Sequence, residues 1–360
     1  MKKILLPLLL LGLIVNQSQA QYSYELYVEG IQTPWGMDWL PNGDMLVTDR
    51  SGELYLVKDG ELQDETIAGL PDDILAQRQG GLLDVRVHPN YADNGWIYLA
   101  YSFSEGRNAS TKIVRARLDG NALTDMETIY KADPNSNRGV HYGGRIEFDN
   151  DGYLFFTIGD RGYRDDLPQD LSKDGGKVYR LMDNGTVPSD NPFVGSDNSV
   201  EATYSYGHRN PQGMAMNPAT GVIWTHEHGP RGGDELNIIH PGKNYGWPIL
   251  SYGINYSGSS FAEGTEREGM ESPINYWVPS IAPSGMAFVT SDNYPEWKGH
   301  LLVGSLKFNN VELLKLDGDS VTGIEKVLEG IGRVRSVEEG PDGNIYIGVV
   351  GQGIFKVVAD

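Results

Sequence analysis

His141 opens the run His141-Tyr142-Gly143-Gly144-Arg145, and Asp160 closes Thr157-Ile158-Gly159-Asp160 at the far end of one short apolar strand. A histidine with a carboxylate partner suits a general base, because the carboxylate orients the ring and stabilises its protonated form. Taken singly, a loop histidine and a turn aspartate would fit a structural role as well. Ser205-Tyr206-Gly207-His208-Arg209-Asn210-Pro211-Gln212-Gly213-Met214 is dense in side-chain donors. It suits a ligand rich in carbonyl or carboxylate groups, or else a structured polar turn. In His226-Glu227-His228-Gly229-Pro230-Arg231-Gly232-Gly233-Asp234-Glu235 the two histidines would share a strand face, so a transition-metal pair is conceivable. Asp234, Glu235 and the carbonyls of the glycine-rich turn are hard oxygen ligands and point instead to calcium; otherwise the acids solvate a loop. Arg333 and Arg335 alternate along a strand, so both guanidiniums face one way. Lys307 ends another strand. On a chain of net charge −20, three cations at strand ends suggest an anion cradle, and arginine suits carboxylates through paired hydrogen bonds. Each alone would be an ordinary surface charge.

The elements that must hold these residues are strands. Helical periodicity is almost absent after residue 20, glycine reaches 46 residues, and short β-branched and aromatic runs lie between turn signals. One theme recurs six times: a glycine turn followed by an alternating strand. Its glycines are Gly43, Gly95, Gly152, Gly221, Gly299 and Gly343, spaced 44 to 78 residues apart. One hairpin-rich sheet per copy, with longer loops in the middle copies, fits an all-β, six-bladed β-propeller better than a sandwich of unrelated hairpins. Tyr22–Val28 reads as a strand that completes the last blade beside Gly353–Val358. The longest loop-like stretches are 131–145, 160–176, 183–200 and 227–270, and long loops on one face of a propeller build its site. No linker divides residues 21–360, which read as one domain.

Residues 1–20 carry a basic start (Lys2, Lys3), an apolar run Ile4–Val15 and a small-residue end at Ala20. That is the pattern of a signal peptide cut near Ala20. The run has 12 residues, against about 20 for a membrane span, and no later segment reads as one. The mature chain is expected in the periplasm or outside the cell. It has no cysteine, hence neither disulfides nor thiol catalysis. Its acidity makes nucleic acid and anionic membranes poor partners. There is no Walker A sequence, no G-x-S-x-G and no H-E-x-x-H. Gly348-Val349-Val350-Gly351-Gln352-Gly353 precedes no helix, so a nicotinamide fold is not indicated.

The ordered set SYGHRNPQGMAMNP, EHGPRGGDELN, GKNYGWP, GINYSG and APSGMAF, with Gln79-Gly80-Gly81-Leu82-Leu83-Asp84, HYGGR and GPDG, resembles the soluble aldose (glucose/sorbosone) dehydrogenases that use pyrroloquinoline quinone. The resemblance covers nearly the whole mature chain. It implies oxidation of an aldose at C1 to a lactone, with hydride passing to the quinone and electrons leaving to an external acceptor. Carried over residue by residue, it makes His141 the base and Asp160 its orienting carboxylate. Gln79 would lie at substrate and quinone, and Arg209 and Asn210 at the quinone oxygens. Arg209 would also stabilise charge developing there during catalysis. Lys307, Arg333 and Arg335 would grip the cofactor carboxylates, with Tyr256 and Ser257 along its rim. Gly229 and Pro230 would offer carbonyls to the calcium on the quinone, and Glu235 and Tyr245 would ligate a further calcium. One departure is Ser336, where the family usually has Asp after its paired arginines; this alters the charge balance at Arg335. The chain is short for the family and lacks dimer-forming insertions, which implies a monomer. Two other readings are open: a calcium-dependent propeller lactonase or hydrolase, which needs no cation cradle, and a non-catalytic carbohydrate-binding propeller, which needs no His141–Asp160 pair.

Overall fold

A computed structural model describes residues 22–359; the expected signal peptide lies outside them. Strands form six four-stranded antiparallel sheets. The first strands of the sheets are Pro34–Trp39, Leu82–Val87, Ile146–Phe148, Pro211–Met216, Pro283–Phe288 and Val334–Glu339. Each packs against the next, and the sixth returns to the first, so the sheets form a ring: a six-bladed β-propeller. All six recurrent glycines fall in one structural position, the turn between first and second strands of a blade. All six have positive φ, from 66° at Gly95 to 90° at Gly43, a region open to glycine at no steric cost.

Second strands such as Met45–Asp49, Leu154–Ile158 and Leu301–Ser305 are buried at every residue, because neighbouring blades cover both faces. The outermost strand Ser320–Val327 alternates with solvent. The core is accordingly divided into six clusters, one between each pair of adjacent blades. Leu46 and Leu54 meet Val85 and Leu99 at one interface, and Met37 and Val47 meet Tyr346 and Ile354 where the ring closes. The N-terminal strand closes it as expected: Tyr22–Val28 pairs antiparallel with Gly353–Ala359.

The expected loop 227–270 is interrupted. Asp234–Ile238 is a strand paired with Ile223–Glu227, since Leu236 and Asn237 are buried in the blade. Loops 131–145, 160–176 and the remainder of 227–270 supply side chains to the site, whereas 183–200 joins the third and fourth strands of its blade and supplies none to the cavities described below. Among the described residues, no helix is long and apolar enough to cross a membrane.

Candidate active site

Two cavities meet on one face of the ring, at the starts of the innermost strands. The first, of about 410 Å³, lies over the axis and is walled by Trp35, Leu83 and Tyr142. Four guanidiniums line it, from Arg50, Arg78, Arg333 and Arg335, together with the amides of Gln79, Asn210 and Gln212, and among the described residues no Asp or Glu lines it. Arg335 donates to Gln212 Oε1 at 2.9 Å and Ser284 Oγ at 3.2 Å, and its buried Nε has no partner among the described residues. Burial first, then the charges of Arg145, Arg333 and Arg50, pull Arg335 down to about 9. Ser336 is fully buried and donates to the Pro34 carbonyl at 3.0 Å, so no carboxylate from that position balances Arg335.

The second cavity, of about 350 Å³, contains His141 and Asp160 with Arg138, Arg164, Arg209, Pro230, Trp247 and Tyr256. His141 Nδ1 and Asp160 Oδ1 are 2.6 Å apart. Asp160 is the acceptor, so Nδ1 carries the proton and Nε2 keeps its lone pair. Asp160 Oδ1 also accepts from Gly162 N at 2.7 Å, and Oδ2 accepts from Trp247 Nε1 at 2.9 Å. Burial opposes ionisation of Asp160, but the bond from His141, its charge, Arg209 and the Gly162 amide together hold its pKa below the ordinary value. Burial, then Arg209, lowers the pKa of His141 despite Asp160. The ring is therefore neutral, and able to accept a proton, at neutral pH.

The backbone is bent to make this pair. His141 has φ 55° and the residue after Asp160, Arg161, has φ 52°; Arg78 and Ala282, in the first cavity, have φ 55° and 52°. Such non-glycine conformations are costly and cluster at functional sites. Gly159 lets the two loops touch: a Cβ there would stand 2.4 Å from the His141 carbonyl. Gln79 Oε1 accepts the His141 backbone N–H at 2.8 Å, which ties the two cavities together.

Glu227 organises the Arg209-Asn210 turn. Its Oε2 accepts the backbone N–H of Arg209 and that of Asn210 at 3.2 Å, while Oε1 lies 2.9 Å from His208 Nδ1. His208 Nε2 is 2.9 Å from Ser205 Oγ. This Ser–His–Glu chain is sealed, with Ser205 and His208 at 0% exposure, so it holds a loop and offers no nucleophile. Arg209 Nη1 donates to the His228 carbonyl at 2.9 Å.

The 226–235 segment differs from its transition-metal reading. His226 and His228 do share a face, but it is turned to the next blade. His226 Nε2 lies 3.2 Å from the Gly285 carbonyl and His228 Nε2 lies 2.7 Å from that of Pro283. Asp234 is no free ligand either. Oδ1 accepts Gly229 N at 2.8 Å, and Oδ2 accepts Ser280 Oγ, Ile281 N and Ala282 N at 2.7–2.9 Å. The carbonyls of Gly229 and Pro230 accept no hydrogen bond from the described residues. Glu235 stands opposite Glu227 across two strands, and burial, then the Glu227 charge, pushes its carboxyl well above the ordinary value. Two carboxyls in one small cavity with Gly229, Gly233 and Ser251 are suited to a hard cation between them. Tyr245 is buried, and its hydroxyl is committed to the Ile238 carbonyl and His240 N, so only its own carbonyl is left to ligate.

Of the remaining expected residues, Tyr256 is 73% exposed at the rim. Lys307 stands outside the lining of the first cavity, with Nζ 3.0 Å from the Ser280 carbonyl. Arg50 and Arg78, which the sequence reading had passed over, line it instead. Trp247 and Glu227 were also missed as individuals; the signal was their place in GKNYGWP and EHGPRGGDELN.

The profile of the family described as Glucose / Sorbosone dehydrogenase matches residues 31–354. An aldose sugar dehydrogenase of Escherichia coli, YliI, is 42% identical over 350 residues, covering 95% of this chain and 94% of the relative. The apo-form crystal structure of the soluble aldose sugar dehydrogenase of Escherichia coli matches with a TM-score of 0.90 at 40% identity, over 94% of this chain and all of the other. The PQQ-bound aldose sugar dehydrogenase of Streptomyces coelicolor matches with a TM-score of 0.77 at 28% identity, over 95% and 99% of the two chains.

Proposed function

Because the chain belongs to the glucose/sorbosone dehydrogenase family, and is thus an aldose sugar dehydrogenase, we propose that it oxidises aldoses at C1 to lactones using pyrroloquinoline quinone and calcium, and passes the electrons to an external acceptor. The observation that carries this reading is the first cavity: four arginines and no carboxylate in the lining, on a chain of net charge −20, beside a His–Asp pair. A flat tricarboxylate fits its aromatic walls, its cations and the orphaned Arg335 Nε. A lactonase would have no use for such a cradle, and a mere binding module none for the His141–Asp160 pair.

When bound, the quinone would supply a two-electron acceptor and calcium a Lewis acid. Arg50, Arg78, Arg333 and Arg335 would hold the cofactor carboxylates, with Lys307 at the edge. Asn210 and Arg209 would face its oxygens, and the Gly229 and Pro230 carbonyls its calcium. Glu235, with the Tyr245 carbonyl, would hold a further ion. His141 Nε2 takes the proton of the C1 hydroxyl. Asp160, on Nδ1, stabilises the imidazolium that results. Arg209, fixed by Glu227 and the His228 carbonyl, offers a stationary positive charge where negative charge develops. Tyr256, in the lining of the His141 cavity, would stand along the cofactor rim. The protein acts as a monomer outside the cytoplasm, in keeping with the leader pattern of residues 1–20. The test is reconstitution: purified protein should oxidise aldoses with an artificial dye acceptor only after both quinone and calcium are added. Full activity with NAD and no quinone would overturn the proposal.

A further inference from the structure

Asp160 is held at both oxygens, and by different parts of the chain. Oδ1 takes His141 Nδ1 and Gly162 N; Oδ2 takes a single donor among the described residues, the Trp247 indole N–H at 2.9 Å. Without that donor the carboxylate would be tied at one oxygen and free to turn about its Cβ–Cγ bond, carrying the His141 partner with it. Trp247 is itself fixed. It is 6% exposed. Its backbone N–H bonds the Gly207 carbonyl at 2.9 Å, and its backbone carbonyl accepts Gln169 Nε2 at 2.7 Å. Its ring meets Phe261 edge-on at 5.2 Å, and the Arg209 guanidinium lies 5.4 Å from its centre. The indole also lines both the His141 cavity and the small Glu227–Glu235 cavity. Arg209 borders both as well.

We propose that Trp247 is a positioning residue for the oxidation, its indole N–H fixing Asp160 so that His141 Nε2 stays aimed at the substrate hydroxyl. The inference rests on the dehydrogenase reading for its kinetic consequence, though not for the hydrogen bond itself. Trp247→Phe keeps an aromatic ring and removes the donor. With quinone and calcium loaded, it should lower kcat roughly ten-fold, about the worth of one hydrogen bond to a charged group. KM and quinone affinity should change less than about two-fold, a span too small to represent a lost contact. In an Asp160→Asn background the same change should cost almost nothing, because a residue that acts through Asp160 has nothing left to orient. Equal costs in both backgrounds, or an unchanged kcat, would overturn the proposal and leave Trp247 as packing.

A second readout needs no turnover and separates this idea from the dehydrogenase reading. Nitrogen-15 spectra of quinone-free protein should show the His141 ring held with its proton on Nδ1, and a mixture of tautomers in Trp247→Phe; unchanged tautomers would count against the proposal even if no aldose is oxidised. Should Trp247→Phe fail to fold, Asp160→Asn alone still decides. One of the seven indole N–H signals should move markedly in that variant, and no movement would contradict the bond.

Discussion

Replacing Arg335 with Met should do opposite things to the empty and the loaded protein. In the empty cavity Arg335 is a cation with two neutral hydrogen bonds and an Nε without a partner among the described residues; burial first, then Arg145, Arg333 and Arg50, pull it down to about 9. Arg335→Met loses the bonds to Gln212 and Ser284, about 0.5–1.5 kcal/mol each, and at the same time relieves an uncompensated charge, a cost of similar or larger size. The empty variant should therefore melt at or above the wild-type temperature. With pyrroloquinoline quinone bound, the lost interaction is a charge-assisted one worth about 1.5–3 kcal/mol, or one to two decades of affinity. The quinone-induced rise in melting temperature should shrink in step, because ligand stabilisation follows the ratio of free ligand to Kd. The assay is a fluorescence titration with quinone, paired with calorimetry of empty and loaded protein. An unchanged titration, or an empty variant that melts several degrees lower, would show that Arg335 is a structural residue and not part of an anion cradle.

Other expectations follow from the same geometry. Burial and Arg209 lower the pKa of His141, and the neutral ring is the base, so turnover should persist below pH 6.5 and fall only at more acid pH; a kcat profile with its acid midpoint above 6.5 would contradict this. Glu235→Gln removes the like-charge strain with Glu227. Chelator should lower the melting temperature of the wild type more than that of this variant, and equal sensitivity would argue against a cation there. On the axis, Glu147 and Glu338 share Arg86 and are each pushed up to about 7, chiefly by burial. Folded carboxyls with raised pKa contribute stability below their unfolded value that is lost as pH rises through 7. Glu338→Gln, which still offers Arg86 an oxygen, should thus lose less stability than wild type between pH 5 and 8, as thermal melts at the two pH values would show.

The ring was legible because its period is written in local chemistry. Each of the six glycines must supply a positive φ at one turn per blade, and Tyr22–Val28 could be matched to the C-terminal strand by pattern alone. His141 and Asp160 were legible because they bracket one short stretch of chain, which the structure resolves into a hairpin of Ile146–Phe148 and Leu154–Ile158 whose two ends return to the same face. What pairs across blades was not. Trp247 reaches Asp160 over 87 residues, and Arg50, Arg78 and Arg333 meet only because the ring closes. A repeat fixes how each sheet is built but says nothing of which loop residues converge over the axis. Asp234 read as a ligand because its type suits calcium. The structure gives its oxygens to four N–H and O–H donors, which sequence spacing does not record. Lys307 read as lining because it ends a strand, but the chain turns at Leu306 and directs it to the Ser280 carbonyl.

The central claim is that His141, beside an arginine-lined quinone cradle, takes the proton of an aldose. It is tested most directly by single-turnover reduction of the loaded quinone by an aldose without any acceptor, in wild type and His141→Ala at matched quinone occupancy. Both proteins should load equally, and the variant should reduce its quinone slower by roughly two to four decades, the usual worth of a positioned base. A variant that loads quinone and is reduced at the wild-type rate would contradict the account.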